Sequence, residues 1–149
     1  MYFRKNYAFL SNMYPHEIDV DINGTTYHFS CVESAYQAHK CLARVNEFIP
    51  LTGLEAKILG KSVKLDSHWD EIKVSIMEKL LRIKFSDTLL LKQLCDIDLD
   101  IVEHNCWGDT FWGVSYGKGQ NILGKLLMKI RDEKMNVIHS KNSSEKTLI

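Results

Sequence analysis

The sequence predicts an α+β domain, mainly helical, with a small sheet that contains an antiparallel pair. Two observations carry this expectation. Ile18, Val20 and Ile22 alternate with polar residues, Asn23-Gly24 follows, and Thr26, Tyr27 and Phe29 make a second β-prone run. Asn-Gly between two such runs is a strong hairpin signal. Further on, Trp69, Ile72, Ile76, Leu80 and Ile83, and later Leu123, Leu126, Leu127 and Ile130, recur at helical period.

At 149 residues the chain fits one domain, expected over 1–135, with 136–149 a polar, disordered tail. Apolar residues make up 45% and charged residues 26%, and the formal net charge is zero. No global field therefore recruits nucleic acid or an anionic membrane, so a phosphorylated ligand needs local contacts. The four cysteines, Cys31, Cys41, Cys95 and Cys106, form no C-x-x-C pair, and His28/Cys31 and His104/Cys106 lack a second half. No metal site is expected, and no cofactor. Free thiols, with no leader or apolar run of membrane length, point to the cytoplasm.

Taken in order, Tyr2 to Pro15 reads as an aromatic packed loop, because Ser11-Asn12 favours a turn and Pro15 bars a helix. The hairpin then feeds a helix from Val32 to about Arg44. Asn46 to Thr52 is irregular, and Leu54 to Gly60 is a short helix closed by its glycine. Ser67 is a candidate N-cap for a helix ending near Phe85, and Ser86-Asp87 caps another, from Thr88 to about Cys95. Ile101-Val102 reads as a strand pairing with the hairpin. Asn105 to Gly119 is a loop, too glycine-rich for a helix and too aromatic for an exposed linker. Asn121 caps the final helix.

Three stretches could carry chemistry. A helix through Glu33, Gln37, Lys40 and Arg44 sets them at i, i+4, i+7 and i+11, a narrow stripe at roughly 100° per residue. The acid of that stripe can move protons, and a partly desolvated amine can act as a nucleophile. A solvated, salt-bridged helix face is the alternative on spacing alone. The second is the loop with Trp107, Phe111, Trp112 and Tyr116, whose rings could stack a base or could form a satellite core cluster. In it, Asp109 could orient a hydroxyl or activate water, or could bond to its own backbone. The third, Gly117-Lys118-Gly119-Gln120-Asn121, could offer N–H groups to a phosphate or be an ordinary turn before a helix. His39 falls on the apolar stripe and reads as a core histidine; His68 reads as solvated. Together they describe a pocket for a ribosylated, phosphorylated base.

Several motifs, met in order, resemble the YbiA-like family, also called NADAR. They are Phe9-Leu10-Ser11-Asn12-x-Tyr14-Pro15, Val32-Glu33-x-Ala35-Tyr36-Gln37-Ala38-x-Lys40, Ala56-Lys57, Trp69, Met77, Lys84-Phe85 and Val102-Glu103. Asp109-x-x-Trp112-Gly113, Gly119-x-Asn121-x-x-Gly124-x-Leu126-Leu127-Met128 and Arg131 complete the series. The resemblance implies the YbiA-like fold and hydrolysis of N-glycosidic bonds. One branch of the family cleaves ribosylated pyrimidine intermediates of riboflavin synthesis; another removes ADP-ribose from modified guanine. Carried over by position, it makes Glu33, Lys40, Asp109 and Trp112 the catalytic residues. Asn12, Gln37, Trp69, Glu103, Gly113, Gly119 and Asn121 would then shape the ligand site. The implied partner is a nucleotide-like substrate, with single-stranded nucleic acid ends as a further option and no membrane. Two routes fit: a Schiff base on Lys40 with Glu33 shuttling protons, or water activated by Glu33 or Asp109. An inactive relative that binds ADP-ribose or NAD is the competing class.

Overall fold

The computed structural model describes residues 1–145 and divides into two compact units, Phe3–Asp87, and Met1–Tyr2 with the chain from Thr88 onward. In the first unit, β1 (Ile18–Ile22) and β2 (Thr25–Phe29) form the expected antiparallel hairpin, with Val20 opposite Tyr27. Asn23 and Gly24 both take positive φ, 54° and 82°, the backbone that lets a two-residue turn follow the strand twist. Ile18, Val20 and Ile22 face the core while Asp19 and Asp21 face solvent. The aromatic N-terminal stretch is not a plain loop: Lys5–Leu10 forms a 3-10 helix that buries Phe9 and Leu10.

The helix after the hairpin is shorter than its pattern suggests. α1 spans Val32–Ala38 and every residue in it is buried. It gives way to a turn, with the Lys40 N–H on the Gln37 carbonyl, and to a 3-10 turn at Leu42–Arg44. α2 (Val45–Phe48) then occupies part of the segment read as irregular. α3 (Gly53–Gly60) starts at a capping box in which Thr52 and Glu55 satisfy each other's backbone N–H groups. Gly60 does not end α3 by a left-handed turn, because Lys61 after it is right-handed. It lies instead against the Gln37 side chain, whose amide oxygen a Cβ there would displace. α4 (Trp69–Lys84) has His68 rather than Ser67 at its N-cap and no side-chain cap; just before it, the Asp66 carboxylate accepts the His68 N–H at 2.8 Å. It buries Trp69, Met77, Leu80, Leu81 and Lys84, and α1 packs against both α3 and α4.

In the second unit, α5 (Thr88–Cys95) packs on α6 (Ile122–Glu145), and Leu90 and Leu94 of the one and Leu123, Leu127 and Ile130 of the other are buried. Ile101-Val102 is not a strand, and the short strand lies just beyond it. β3 (His104–Asn105) pairs parallel with β4 (Val114–Ser115), not with the hairpin. Ile101 has no backbone groups left for a sheet. Its N–H is on the Met128 sulfur and its carbonyl is taken by the Asn121 amide. α6 continues to Glu145, so the polar stretch from residue 136 extends a helix where composition predicts a disordered tail. Propagating a nucleated helix needs little more than residues that tolerate it. The rest of that stretch, 146–149, lies outside the described residues.

Candidate active site

The first unit gathers Glu33, Gln37, Lys40, Asn12 and Trp69 around α1. The solvated-face alternative fails on burial, since Glu33 is 8% exposed and Gln37 4%. One turn apart, they bond to each other, Gln37 Nε2 donating to Glu33 Oε1 at 2.7 Å. Arg44 does not extend the stripe. Beyond the end of α1 it pairs on the surface with Glu47 at 2.6 Å. Lys40 lies on the turn where α1 stops, half-buried, its Nζ 5.9 Å from the Tyr36 ring centre and 6.0 Å from that of Trp69. Burial lowers its pKa below the ordinary lysine value; the Glu33 carboxylate opposes this and the Lys57 ammonium adds to it. A neutral amine is therefore more available here than on an open surface.

Trp69 is 6% exposed and packs against Tyr36, ring centres 5.1 Å apart, so within this unit its indole walls the lysine. Asn12 acts through its backbone, its carbonyl accepting the Glu33 N–H at 2.9 Å, while its side chain leans on the Met77 sulfur at 3.4 Å. His39 is the core histidine expected. Its Nδ1 meets the Ala35 carbonyl at 2.7 Å, and burial lowers its pKa, the Ala35 bond opposing and Lys79 assisting. His68 is exposed.

The sequence reading gives Lys84 no role of its own, although it falls with Met77, Leu80 and Leu81 on the buried stripe of α4. A lysine on an apolar stripe was the available signal. It is fully buried, and burial lowers its pKa to about 7, with Cys31 opposing.

The second unit gathers Glu103, Asp109, Trp112, Gly113, Gly119 and Asn121, and here side chains serve the backbone. Asp109 Oδ1 accepts the N–H groups of Phe111 at 3.0 Å and Trp112 at 2.9 Å, the self-bonded turn that was the plainer expectation. Asn105, unremarked in the sequence and 3% exposed, clamps Asp109 from the other side. Its amide donates to the Asp109 carbonyl at 2.7 Å and accepts the Asp109 N–H at 3.1 Å. Trp112 is thus held at its N–H by Asp109, and at its carbonyl by the Leu123 N–H at 3.0 Å. Its ring lies edge-on to Phe111, centres 5.0 Å apart.

The entry to α6 is not an open phosphate cradle. The N–H groups of Gln120, Asn121, Ile122 and Leu123 are taken by the carbonyls of Thr110, Gly113, Phe111 and Trp112. Gly119 is glycine because a Cβ would strike the Gly113 carbonyl, and Gly113 because one would come 2.5 Å from the Glu103 carbonyl. Asn121 does not cap α6 with its side chain. Its amide donates to the Ile101 carbonyl at 2.9 Å and accepts the Glu103 N–H at 3.0 Å. Among the described residues, no cluster of three His, Cys, Asp or Glu side chains could hold a metal ion. None of their helices is long and apolar enough to cross a membrane.

A buried acid–amide pair beside a partly desolvated amine supplies groups suited to proton transfer and nucleophilic attack. The chain belongs to the NADAR domain family, whose profile matches residues 2–134. It is 33% identical over 142 residues to an N-glycosidase of Nostoc punctiforme, covering 89% of this chain and 88% of that one. It is 34% identical to a riboflavin biosynthesis protein of Vibrio vulnificus, over 87% of this chain but only 36% of that longer protein. The NMR structure of the Escherichia coli protein YbiA superposes with a TM-score of 0.76 at 29% identity, covering 91% of this chain and 84% of that one.

Proposed function

We propose that the chain hydrolyses the bond between ribose C1′ and a base nitrogen of an ADP-ribosylated guanine or a related phosphorylated N-riboside, and that Lys40 is its nucleophile. The observation that carries this reading is the setting of Lys40. Its amine is half-buried against Tyr36 and Trp69, in the field of a carboxylate that is itself buried and bonded. The neutral amine attacks C1′ and the C1′–N bond breaks. The proton lost by the amine passes through Glu33 to the leaving nitrogen. The sugar ring opens as the remaining amine proton passes to the ring oxygen, giving an imine between Lys40 and C1′. Water then adds to the imine carbon, and elimination releases the sugar aldehyde and restores the amine. Positive charge develops at C1′ as the base departs, and the Glu33 carboxylate stabilises it.

A second substrate, a ribosylaminopyrimidine phosphate, is favoured by the relatives named for riboflavin biosynthesis. The four free cysteines favour a reducing compartment such as the cytoplasm. The test incubates wild type and Lys40→Ala with ADP-ribosylated guanosine oligonucleotide and with the pyrimidine riboside, reading products by mass spectrometry. A parallel reaction contains borohydride. Release of ADP-ribose by wild type alone, with a reduced adduct on Lys40, is the expected result. Turnover without an adduct favours water activation by Glu33 or Asp109. Ligand binding without turnover of either substrate would leave a binding module.

A further inference from the structure

A lysine buried with no carboxylate against it destabilises a fold, and an apolar side chain of the same shape would serve the core better. Lys84 is in that position. Around it stand the Tyr14 ring at 5.5 Å, the Phe85 ring at 5.3 Å and the Cys31 thiol at the start of α1. Its ammonium donates to the Ser11 carbonyl at 2.8 Å. That carbonyl also accepts the Tyr14 N–H at 3.2 Å, so the lysine ties down the turn Ser11–Tyr14 at its first residue.

The same turn is gripped a second time from α4, because Asn12 Nδ2 rests on the Met77 sulfur, two helical turns before Lys84 on one face. Asn12 in turn holds the N-terminus of α1, its carbonyl on the Glu33 N–H at 2.9 Å. A continuous path therefore runs from Lys84 to Ser11, Asn12 and Glu33. We infer that Lys84 is a positioning residue: by holding the Ser11–Asn12 turn it sets where the Glu33 carboxylate stands against Lys40. The inference rests on the reading of Glu33 as the proton shuttle of N-glycoside hydrolysis.

The test uses the full chain as wild type, Lys84→Met, Glu33→Gln and the double variant, assayed on the N-riboside that wild type cleaves. Beside it, the Glu33 carboxyl carbon and the Lys84 side chain of wild type are followed by NMR across neutral pH. Lys84→Met is expected to lower kcat by about 10²-fold with KM little changed, the size of effect that a small misplacement produces. It adds nothing to Glu33→Gln, since both act through one carboxylate. In wild type, the Glu33 signal inflects where the Lys84 signal titrates, and Lys84→Met removes that inflection. Wild-type kcat in Lys84→Met overturns the inference, as does an equal slowing of Glu33→Gln by the added Lys84→Met. Should Lys84→Met fail to fold, the wild-type titration decides alone, and a Glu33 signal without the inflection overturns the inference. Should wild type cleave no N-riboside, the catalytic reading fails, while the link from Lys84 to Glu33 still stands or falls on the titration.

Discussion

The two units hold their polar residues by opposite means. Around α1, side chains bond to one another and shape a charge pattern: Gln37 on Glu33, with Lys40 in the field of both Glu33 and Lys57. In the second unit, side chains bond to the main chain and shape a path: Asp109 on Phe111 and Trp112, Asn105 on Asp109, Asn121 on Ile101 and Glu103. The first arrangement is the one that suits proton and nucleophile chemistry. The second is a scaffold that aims an indole. A residue matched to a family motif can therefore be indispensable in either unit for different physical reasons, and isosteric substitutions tell the two apart.

The largest contrast is expected between Glu33→Gln and Asp109→Asn. Each removes a charge and keeps the shape and an acceptor oxygen. If Glu33 moves protons, Glu33→Gln lowers kcat by about 10²- to 10⁴-fold, the range for a lost general acid or base. Asp109→Asn keeps the oxygen that receives the Phe111 and Trp112 N–H groups, so its loss is expected to be much smaller, with thermal stability near wild type. Steady-state kinetics beside thermal melts read both. Equal losses of kcat would give Asp109 a share in the chemistry and end the division proposed above.

A smaller effect sharpens the electrostatics of the α1 side. The proposed reaction needs Lys40 neutral, so kcat/KM should rise with pH towards the pKa of its amine, which lies below the ordinary lysine value. The Lys57 ammonium helps to hold that pKa down. Lys57→Met is therefore expected to move the rising limb to higher pH while leaving the plateau rate little changed. A limb that stays in place would remove Lys57 from the tuning of Lys40. Lys84 imposes a separate dependence on stability. Its folded-state pKa, about 7, lies below the unfolded value, so the destabilisation is full below pH 7 and lifts as pH rises from there towards the ordinary lysine value.

Much of this was legible in the sequence, and the limits have physical causes. The hairpin could be read because Asn23-Gly24 suits a backbone that few other pairs adopt without strain. α4 and α5 could be read because their apolar residues keep the helical period. Glu33, Gln37 and Lys40 were legible as a group, but the early end of α1 was not. No proline or left-handed glycine marks it, and the turn at Lys40 is made by ordinary residues. Local pattern makes Gly60 a helix stop, whereas its close neighbour is the Gln37 amide, a contact between residues 23 positions apart that local pattern cannot carry. Asn121 was read as a cap for the same reason: caps are local, and its bonds to Ile101 and Glu103 are not. The backbone N–H groups at the α6 entry looked available because their partners, the carbonyls of 110–113, belong to a loop with no period to read.

The smallest expected effect tests whether bonds into buried backbone and bonds at the surface differ as they should. Asn121→Ala leaves the Glu103 N–H and the Ile101 carbonyl without their partner, and Asn121 is 9% exposed. An unsatisfied buried backbone group costs about 1–3 kcal/mol, so a clear fall in Tm is expected. Arg44→Ala removes a two-pronged bond to Glu47 that is as short as any in the site. Both partners are open to solvent, however, and surface pairs of this kind contribute little once side-chain entropy and screening are counted. Its Tm and kcat should match wild type within error. A substantial loss of kcat in Arg44→Ala would restore it to the stripe that spacing alone proposed, and would mean that the 3-10 turn after Lys40 contributes to the chemistry.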